Sequence, residues 1–463
     1  MILWTNVFLA EFRTFAVDFI TQIFMHKVIY LLFTLSFFVS IQPLAAQESQ
    51  KLPVTLEELF KMADENSRTL KISGYNEQLA AEEVQEQKNK LLPTLEAALS
   101  FSYNGDGWIS DRDFSNGMSV PIPGYGNNFA FEATQAIYAG GAIKTSIEVA
   151  KLDLLVAQLD KEKNKQDIRF LITGYYLELQ KLQNQKQILE HNLEQTDKLL
   201  VQINNKFKEG TALKNAVTRY ELQKQSLELA LLKLENGDKI INNELVKTLQ
   251  LPTGTQLVIS PSVVPSAATP QVSAQWQELA QNNAPVLKQM ELHLQQAKHG
   301  EKLAKADQLP QLFAFAGDKL EGPITIEIPA VDKNFNYWYV GLGVKYNIAS
   351  LYKSKSKINA AKIATQRAME NNEMVQDQLA TDIETALIRY REAQDIYKTQ
   401  IKGVQLATEN YNVIRNRYVN SLVLITEMLD AENSKIDAEM KAANAQINIL
   451  YHDYQLRKLS GTL

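Results

Sequence analysis

The chain contains no cysteine. That excludes disulfides, thiolate metal sites and a cysteine-linked lipid anchor. Histidine is scarce: His26, His191, His293, His299 and His452 are the full set. His293 and His299 stand six residues apart, which does not place them on one helix face as metal ligands. No metal site and no cofactor is expected. A glycine-rich phosphate loop and a nucleophile elbow are both missing. The chain therefore reads as a non-enzyme. Neither sign of charge dominates: a net −5 over 463 residues argues against nucleic acid and supplies no polybasic membrane patch. After Gln47 no apolar run is long enough for a spanning helix. What is there, 45% hydrophobic and 22% charged residues, is enough for ordered structure and for two or three ordinary domains.

The N-terminus reads as a targeting segment. His26-Lys27 precede an apolar run from Val28 to Ile41, and Leu44-Ala45-Ala46 supplies small residues before Gln47. This pattern predicts a signal peptide cut near Ala46, within an N-terminal extension of residues 1–46, with Met25 as the true start. A transmembrane anchor is the competing reading, and the run falls short of the length a span needs. An exported chain without spanning helices is either soluble or enters a membrane as β-strands.

Internal repetition organises the rest. Glu65-Asn66-Ser67-Arg68-Thr69-Leu70-Lys71 is echoed 217 positions later by Asn282-Asn283-Ala284-Pro285-Val286-Leu287-Lys288, and Leu92-Pro93 by Leu309-Pro310. Lys144, Ile147, Ala150 and Lys151 are echoed 211 positions later by Lys355, Ile358, Ala361 and Lys362, and Phe207 and Gly210 by Tyr418 and Ser421. The offset changes only between Pro93 and Lys144, so a loop there absorbs the length difference. The division expected is a first structural repeat at 47–251, a proline-rich linker at 252–272 and a second repeat at 273–463.

Within each repeat the periodicities are distinct. Thr55-Leu56-Glu57-Glu58 is a capping box that opens a helix running to about Lys90, and Leu92-Pro93 ends it. Leu95, Ala97, Leu99, Phe101 and Tyr103 alternate with polar or small residues, as a strand does. A loop spans Gly105 to Gly126, a second strand Asn128 to Tyr138, and Gly140-Gly141 breaks it. From Ala142 to Phe207 apolar residues recur in sevens, predicting a coiled-coil helix roughly 100 Å long. Glu209-Gly210-Thr211 turns it, and a helix returns from Leu213 to about Leu249. The second copy predicts a helix over 273–308, strands over 311–317 and 337–348, and a long helix with strict sevens at Ile383, Tyr390, Tyr397, Val404, Tyr411 and Tyr418. Its turn is Val419-Asn420-Ser421, with Asn420 expected to take the left-handed conformation. The final helix runs to about Leu459.

Four strands with an apolar face cannot close a barrel, and an open sheet in lipid leaves unpaired edges. Several chains must therefore share one barrel: two copies give eight strands and a filled interior, three give twelve and a lumen. Tyr103, Tyr337, Trp338, Tyr339 and Tyr346 are expected at membrane interfaces. The fold class is mainly α, with duplicated long antiparallel helical hairpins and four strands per chain for a shared membrane barrel.

The chain resembles the TolC-like outer membrane efflux protein family over about residues 52–462. The carriers are the duplicated unit, Leu92-Pro93, Ile137-Tyr138-Ala139-Gly140-Gly141, Gly210, Tyr418 with Ser421, Glu427-Met428-Leu429-Asp430-Ala431 and Lys458-Leu459-Ser460-Gly461. The ordered set is specific, and no single motif is. The resemblance implies a homotrimer with a twelve-stranded outer membrane barrel and a periplasmic helical tunnel. It implies a passive exit duct for drugs, small molecules or proteins in a tripartite efflux or type I secretion system. The implied partners are outer membrane lipids, a periplasmic adaptor and an inner-membrane transporter, and the implied location is the outer membrane of a Gram-negative bacterium. A periplasmic coiled-coil adaptor is the alternative, disfavoured by two hairpins and no separate β-rich domain. The sequence departs from the family at Ser421 in place of glycine, at Ala349-Ser350-Leu351-Tyr352 in place of a Gly-Gly junction, and at Ala216 in place of an acidic residue.

Glu427 and Asp430 lie three apart and share a helix face. The resemblance implies an acidic ring there at the periplasmic mouth, which would favour cations; a solvated helix face is the plainer alternative. Arg417 and Tyr418 are implied gate residues, though Tyr418 also continues the packing stripe. Gly210, Thr211, Asn420 and Ser421 form the helical turns and the implied adaptor-docking tip.

Overall fold

The computed structural model describes residues 51–260 and 272–463. The expected signal peptide lies outside the described residues. Residues 53–253, 257–260 and 272–463 belong to one compact unit; Lys51, Leu52 and Gly254–Gln256 fall outside it.

In chain order the elements are β1 (Lys51–Val54), α1 (Leu56–Asn66), α2 (Arg68–Asn89), β2 (Thr94–Tyr103), β3 (Gly107–Ile109), β4 (Met118–Val120), β5 (Tyr125–Ala139), α3 (Ala142–Lys208) and α4 (Lys214–Thr248). Then follow β6 (Gln256–Ile259), α5 (Ser273–Asn283), α6 (Pro285–Ala306), β7 (Gln311–Gly322), β8 (Phe335–Lys345), α7 (Ser350–Val419) and α8 (Ile425–Leu459). Two short helices, two long strands, one very long helix and a returning helix thus occur twice. The 67 residues of α3 and the 70 of α7 each make a rod of roughly 100 Å.

The capping box forms as read: Thr55 Oγ1 accepts from Glu58 N–H, and Glu58 Oε2 accepts from Thr55 N–H at 2.7 Å. The helix it opens is broken, however. Ser67 separates α1 from α2, and Ala284 separates α5 from α6, again 217 positions apart. The second break has a plain cause: Pro285 excludes Ala284 from the helical region and then starts the next helix itself. Two more expectations are corrected. The Gly105–Gly126 loop contains the small hairpin β3–β4, and part of the supposed linker is β6, hydrogen-bonded to β1. Residues 261–271 of that linker lie outside the described residues.

Among the described residues the helices share apolar layers along their length. About halfway along α7, Trp276 and Ala280 of α5 meet Ile383, Leu387 and Tyr390 of α7 and Leu456 of α8. Nearer the hairpin ends, Leu189, Leu227 and Ile436 join α3, α4 and α8. At the far end, Leu199, Ile203, Val217, Tyr220, Tyr411 and Met428 bring all four long helices together. The α7 stripe holds throughout: Ile383, Tyr390 and Tyr411 are buried, and Tyr397, Val404 and Tyr418 half-buried.

The long strands form one antiparallel sheet in the order β2-β5-β7-β8, open at β2 and β8. Register divides its residues into two faces. One carries Leu95, Leu99 and Phe101 with Phe129, Phe131, Leu312 and, on β8, Trp338, Val340, Leu342 and Val344. Those β8 side chains are 76%, 72%, 71% and 71% exposed. The other face carries Glu96, Ser100, Ser102, Glu132, Phe313, Phe315, Lys319, Tyr337 and Tyr339. Tyr337 and Tyr339 therefore oppose Trp338 and do not share its apolar face, since alternate residues of a strand point apart.

Strand passes to helix differently in the two copies. Gly140 and Gly141 both take positive φ, +62° and +80°, turning β5 into α3. The equivalent junction before α7 needs no left-handed residue. Ala349 is helical there, and Ser350 donates both its N–H and its Oγ–H to the carbonyl of Asn347. That accounts for the missing Gly-Gly pair.

Candidate functional site

The two hairpin ends are built alike. Gly210 takes φ +74° after α3, and Thr211 and Ala212 N–H both donate to the carbonyl of Lys206. After α7 the left-handed residue is Ser421, at φ +60°, with Leu422 N–H donating to Arg417 O at 2.9 Å. Asn420, expected to be left-handed, is not: its φ is −87°, and its side chain donates to Asn416 O. The backbone conformation belongs to the position, 211 residues on from Gly210, and not to the residue best suited to it. Serine at positive φ is strained by roughly 1 kcal/mol. Ser421→Gly is expected to stabilise the chain by about 0.5–1 kcal/mol, read as a higher unfolding temperature. A lower one would mean that the contact of Ser421 Oγ with Lys206 outweighs the strain.

Lys206 joins the two ends. Its Nζ donates to Val419 O at 2.7 Å, approaches Ser421 Oγ at 3.5 Å and lies 5.7 Å from the centre of the Tyr418 ring. Gly210, Thr211, Asn420 and Ser421 thus belong to two turns on hairpins tied by one lysine. Tyr418 packs half-buried against the apolar layer at that end, and burial pushes its hydroxyl pKa up. Arg417 is exposed. Glu427 and Asp430 are exposed on the first turns of α8, and Glu427 Oε1 accepts from Leu424 N–H at 3.4 Å.

One turn further along α8 is a buried polar knot that the periodicity did not reveal. Glu432 is 2% exposed. Thr196 Oγ1 of α3 donates to its Oε1 at 2.6 Å, and Tyr220 of α4 donates to its Oε2 at 3.2 Å. Lys435, also buried, pairs with Glu439 at 3.4 Å, donates to Asn192 Oδ1 and sits 5.1 Å from the Tyr411 ring centre. Burial raises the Glu432 pKa, against the lowering effect of its two hydroxyl donors and Lys435. Tyr220, buried beside that carboxyl, is also pushed up. A signal existed: Met428, Glu432, Lys435 and Glu439 follow the 4-3-4 spacing of a seam, and Thr196 occupies a seam position of α3. Their polarity masked it.

Among the described residues no helix is long and apolar enough to cross a membrane, and no His/Asp/Glu group has the arrangement of a metal site. The apolar sheet face and the paired hairpin ends are the features that point outward.

The resemblance read from the sequence holds. Residues 276–462 match the family model of outer membrane efflux proteins. Solved structures with the same fold include CusC, in structures bearing on transmembrane channel formation. It is 17% identical, with a TM-score of 0.73 over 92% of this chain and 96% of that one. The outer membrane protein VceC of Vibrio cholerae is 16% identical, with a TM-score of 0.71 over 88% of this chain and 96% of its own. The outer membrane channel CmeC of Campylobacter jejuni is 17% identical, with a TM-score of 0.73 over 88% and 85%. No curated protein matches the chain in sequence.

Proposed function

We propose that this chain, whose residues 276–462 form an outer membrane efflux protein domain, is the exit duct of a tripartite efflux system. Three copies would share a twelve-stranded barrel in the outer membrane of a Gram-negative bacterium, with residues 47–251 and 273–463 as the two repeats of each. The helical hairpins would cross the periplasm to an adaptor and an inner-membrane transporter, and small molecules would pass outward without chemistry in the duct.

The observation that carries this reading is the sheet. Its large apolar side chains lie exposed on one face, each worth about 1.5–3 kcal/mol when removed from water, while the other face holds carboxylates, hydroxyls and a lysine. Lipid outside and water inside satisfy both. The open edges β2 and β8 must find each other on neighbouring copies, since rotational symmetry pairs unlike edges. Two copies would bury the polar face in a filled barrel, and three leave it wet. The helices favour the same assembly: Leu222 and Leu229 on α4, and Leu406 and Val413 on α7, are exposed at heptad spacing. The hairpin ends, Gly210 and Thr211 with Asn420 and Ser421, would then face the adaptor. Arg417 and Tyr418 would bear on opening, and Glu427 and Asp430 would ring the entrance.

The test is the mass of the detergent-solubilised particle from outer membranes, corrected for detergent, followed by its conductance in a planar bilayer. Three chains and a cation-preferring current are expected. Glu427→Gln with Asp430→Asn should reduce the cation preference several-fold, and unchanged selectivity would remove the acidic-ring assignment. A stable monomer, or protein found only in the soluble periplasm, would remove the duct.

A further inference from the structure

On the polar face of the sheet five aromatic rings form an unbroken ladder. Phe313 lies 5.9 Å from Phe315, Phe315 6.0 Å from Tyr339, Tyr339 6.2 Å from Tyr337, and Tyr337 5.2 Å from Phe335, measured between ring centres. The ladder follows β7 and then β8 over most of the height of the sheet. Its floor is glycine. Across the β7–β8 ladder Phe313 faces Gly343, Phe315 faces Gly341 and Tyr339 faces Gly317. A Cβ on those glycines would come within 2.4, 2.6 and 2.6 Å of the opposing ring. Each of these three rings therefore lies down on bare backbone and presents its other side away from the sheet.

The ladder has charged company on the same face. Glu132 accepts from Tyr339 Oη–H at 2.9 Å and pairs with Lys319 at 2.8 Å, and Lys319 Nζ lies 5.7 Å from the Tyr339 ring centre. That pair is neutral overall. Glu96 faces Glu132 across β2 and β5 and has no hydrogen-bond or ion-pair partner among the described residues. Glu321 stands at the loop end of the face and Lys345 at the helix end. In a rotationally symmetric barrel the β2 that carries Glu96 sits beside the β8 of the next copy. An uncompensated carboxylate then neighbours the strand that bears Tyr337 and Tyr339.

Resting on the duct reading above, we propose that this ladder, flanked by Glu96, is a binding track for lipophilic aromatic cations in the barrel lumen. The π-faces attract cations and stack on planar or phenyl groups, and Glu96 adds a charge that anions would avoid. Three such tracks, one per copy, would let cargo step along the wall rather than cross the lumen free. The apolar surface of the track also explains why so many aromatics stand on the side of the sheet that faces water.

The test uses the full mature oligomer in planar bilayers, with potassium current blocked by tetraphenylphosphonium. Tetraphenylborate, of the same shape and opposite charge, and tetramethylammonium, which has no rings, are the comparators. Tetraphenylphosphonium is expected to block best. Phe313→Leu with Phe315→Leu should weaken that block roughly tenfold and leave tetramethylammonium unaffected. Glu96→Gln, which touches no ring, should weaken it several-fold and decides alone if the double variant fails to assemble. Equal block by tetraphenylborate, or block unchanged in the variants, would overturn the track and leave the duct standing. A wild-type oligomer that passes no current would instead overturn the duct itself.

Discussion

Glu432→Ala is expected to lower stability by on the order of 3 kcal/mol, the largest effect of any substitution at the hairpin end. The carboxylate receives two hydroxyls, those of Thr196 and Tyr220, from two other helices. Both donor residues are 0% exposed, so neither regains water when the acceptor is deleted. Each orphaned hydroxyl costs about 1–3 kcal/mol, and the cavity adds to that. Lys435 keeps Glu439, so the change strands no charge. Glu432→Gln should lose far less, because its amide can donate to a hydroxyl that turns to accept. Thermal unfolding of the purified particle measures both, and an alanine variant within about 1 kcal/mol of wild type would show that the knot is dispensable.

The same carboxyl makes a pH-dependent statement. Burial lifts its pKa above the ordinary 4.5, so the folded state binds this proton more tightly than the unfolded chain does. Its contribution to stability is then fully present below pH 4.5 and is lost as pH rises through the raised value. The groups facing it are Lys435 on its own helix, Thr196, Tyr220 and Tyr411. The unfolding temperature of wild type relative to Glu432→Gln should therefore improve on going from about pH 7 to about pH 5. A difference that does not move with pH would remove the linkage.

The parts of this molecule legible in its sequence are those where one period dominates. Alternation from Leu95 to Tyr103 yielded β2 within a residue, and the sevens from Ile383 to Tyr418 yielded α7. The capping box at Thr55 located α1. Elements of three or four residues, β3, β4 and β6, carry too few repeats of any period to stand out. The helix breaks at Ser67 and Ala284 were half legible: Pro285 announces the second, and only the 217-residue echo points to the first. Ser421 shows the same logic from the other side, since its left-handed backbone was inherited from the position of Gly210 while Asn420 looked chemically better suited. Glu432 is hidden because its seam is polar, and the hydroxyls that satisfy it, those of Thr196 and Tyr220, are 236 and 212 residues away. Strand parity alone separates Tyr337 and Tyr339 from Trp338.

Gly140→Val is expected to prevent assembly, with a loss above about 4 kcal/mol. Two independent penalties meet at this residue. Its φ of +62° lies in the region that a β-branched side chain occupies only at a cost of about 1–2 kcal/mol. A Cβ there would also stand 2.5 Å from the carbonyl oxygen of Ala306 and 3.0 Å from Leu309 Cβ. Neither neighbour is the far end of a flexible chain; one is backbone at the close of α6. To admit the side chain, the end of β5 must pull away from the end of α6. Gly141 separates the two penalties, because its φ is +80° and nothing lies within 4 Å of its Cβ position. Gly141→Asn should therefore assemble nearly as wild type, asparagine being tolerant of the left-handed region. The measurement is the fraction of chain recovered as detergent-stable oligomer after membrane extraction. Equal damage from both variants would mean that the junction needs glycine for its turn alone. Wild-type recovery with Gly140→Val would mean that β5 and α6 are free to part. If only Gly140→Val fails, the close seat of β5 on α6 is what couples the sheet to the helices, and a shift of the hairpins cannot leave the barrel wall unmoved.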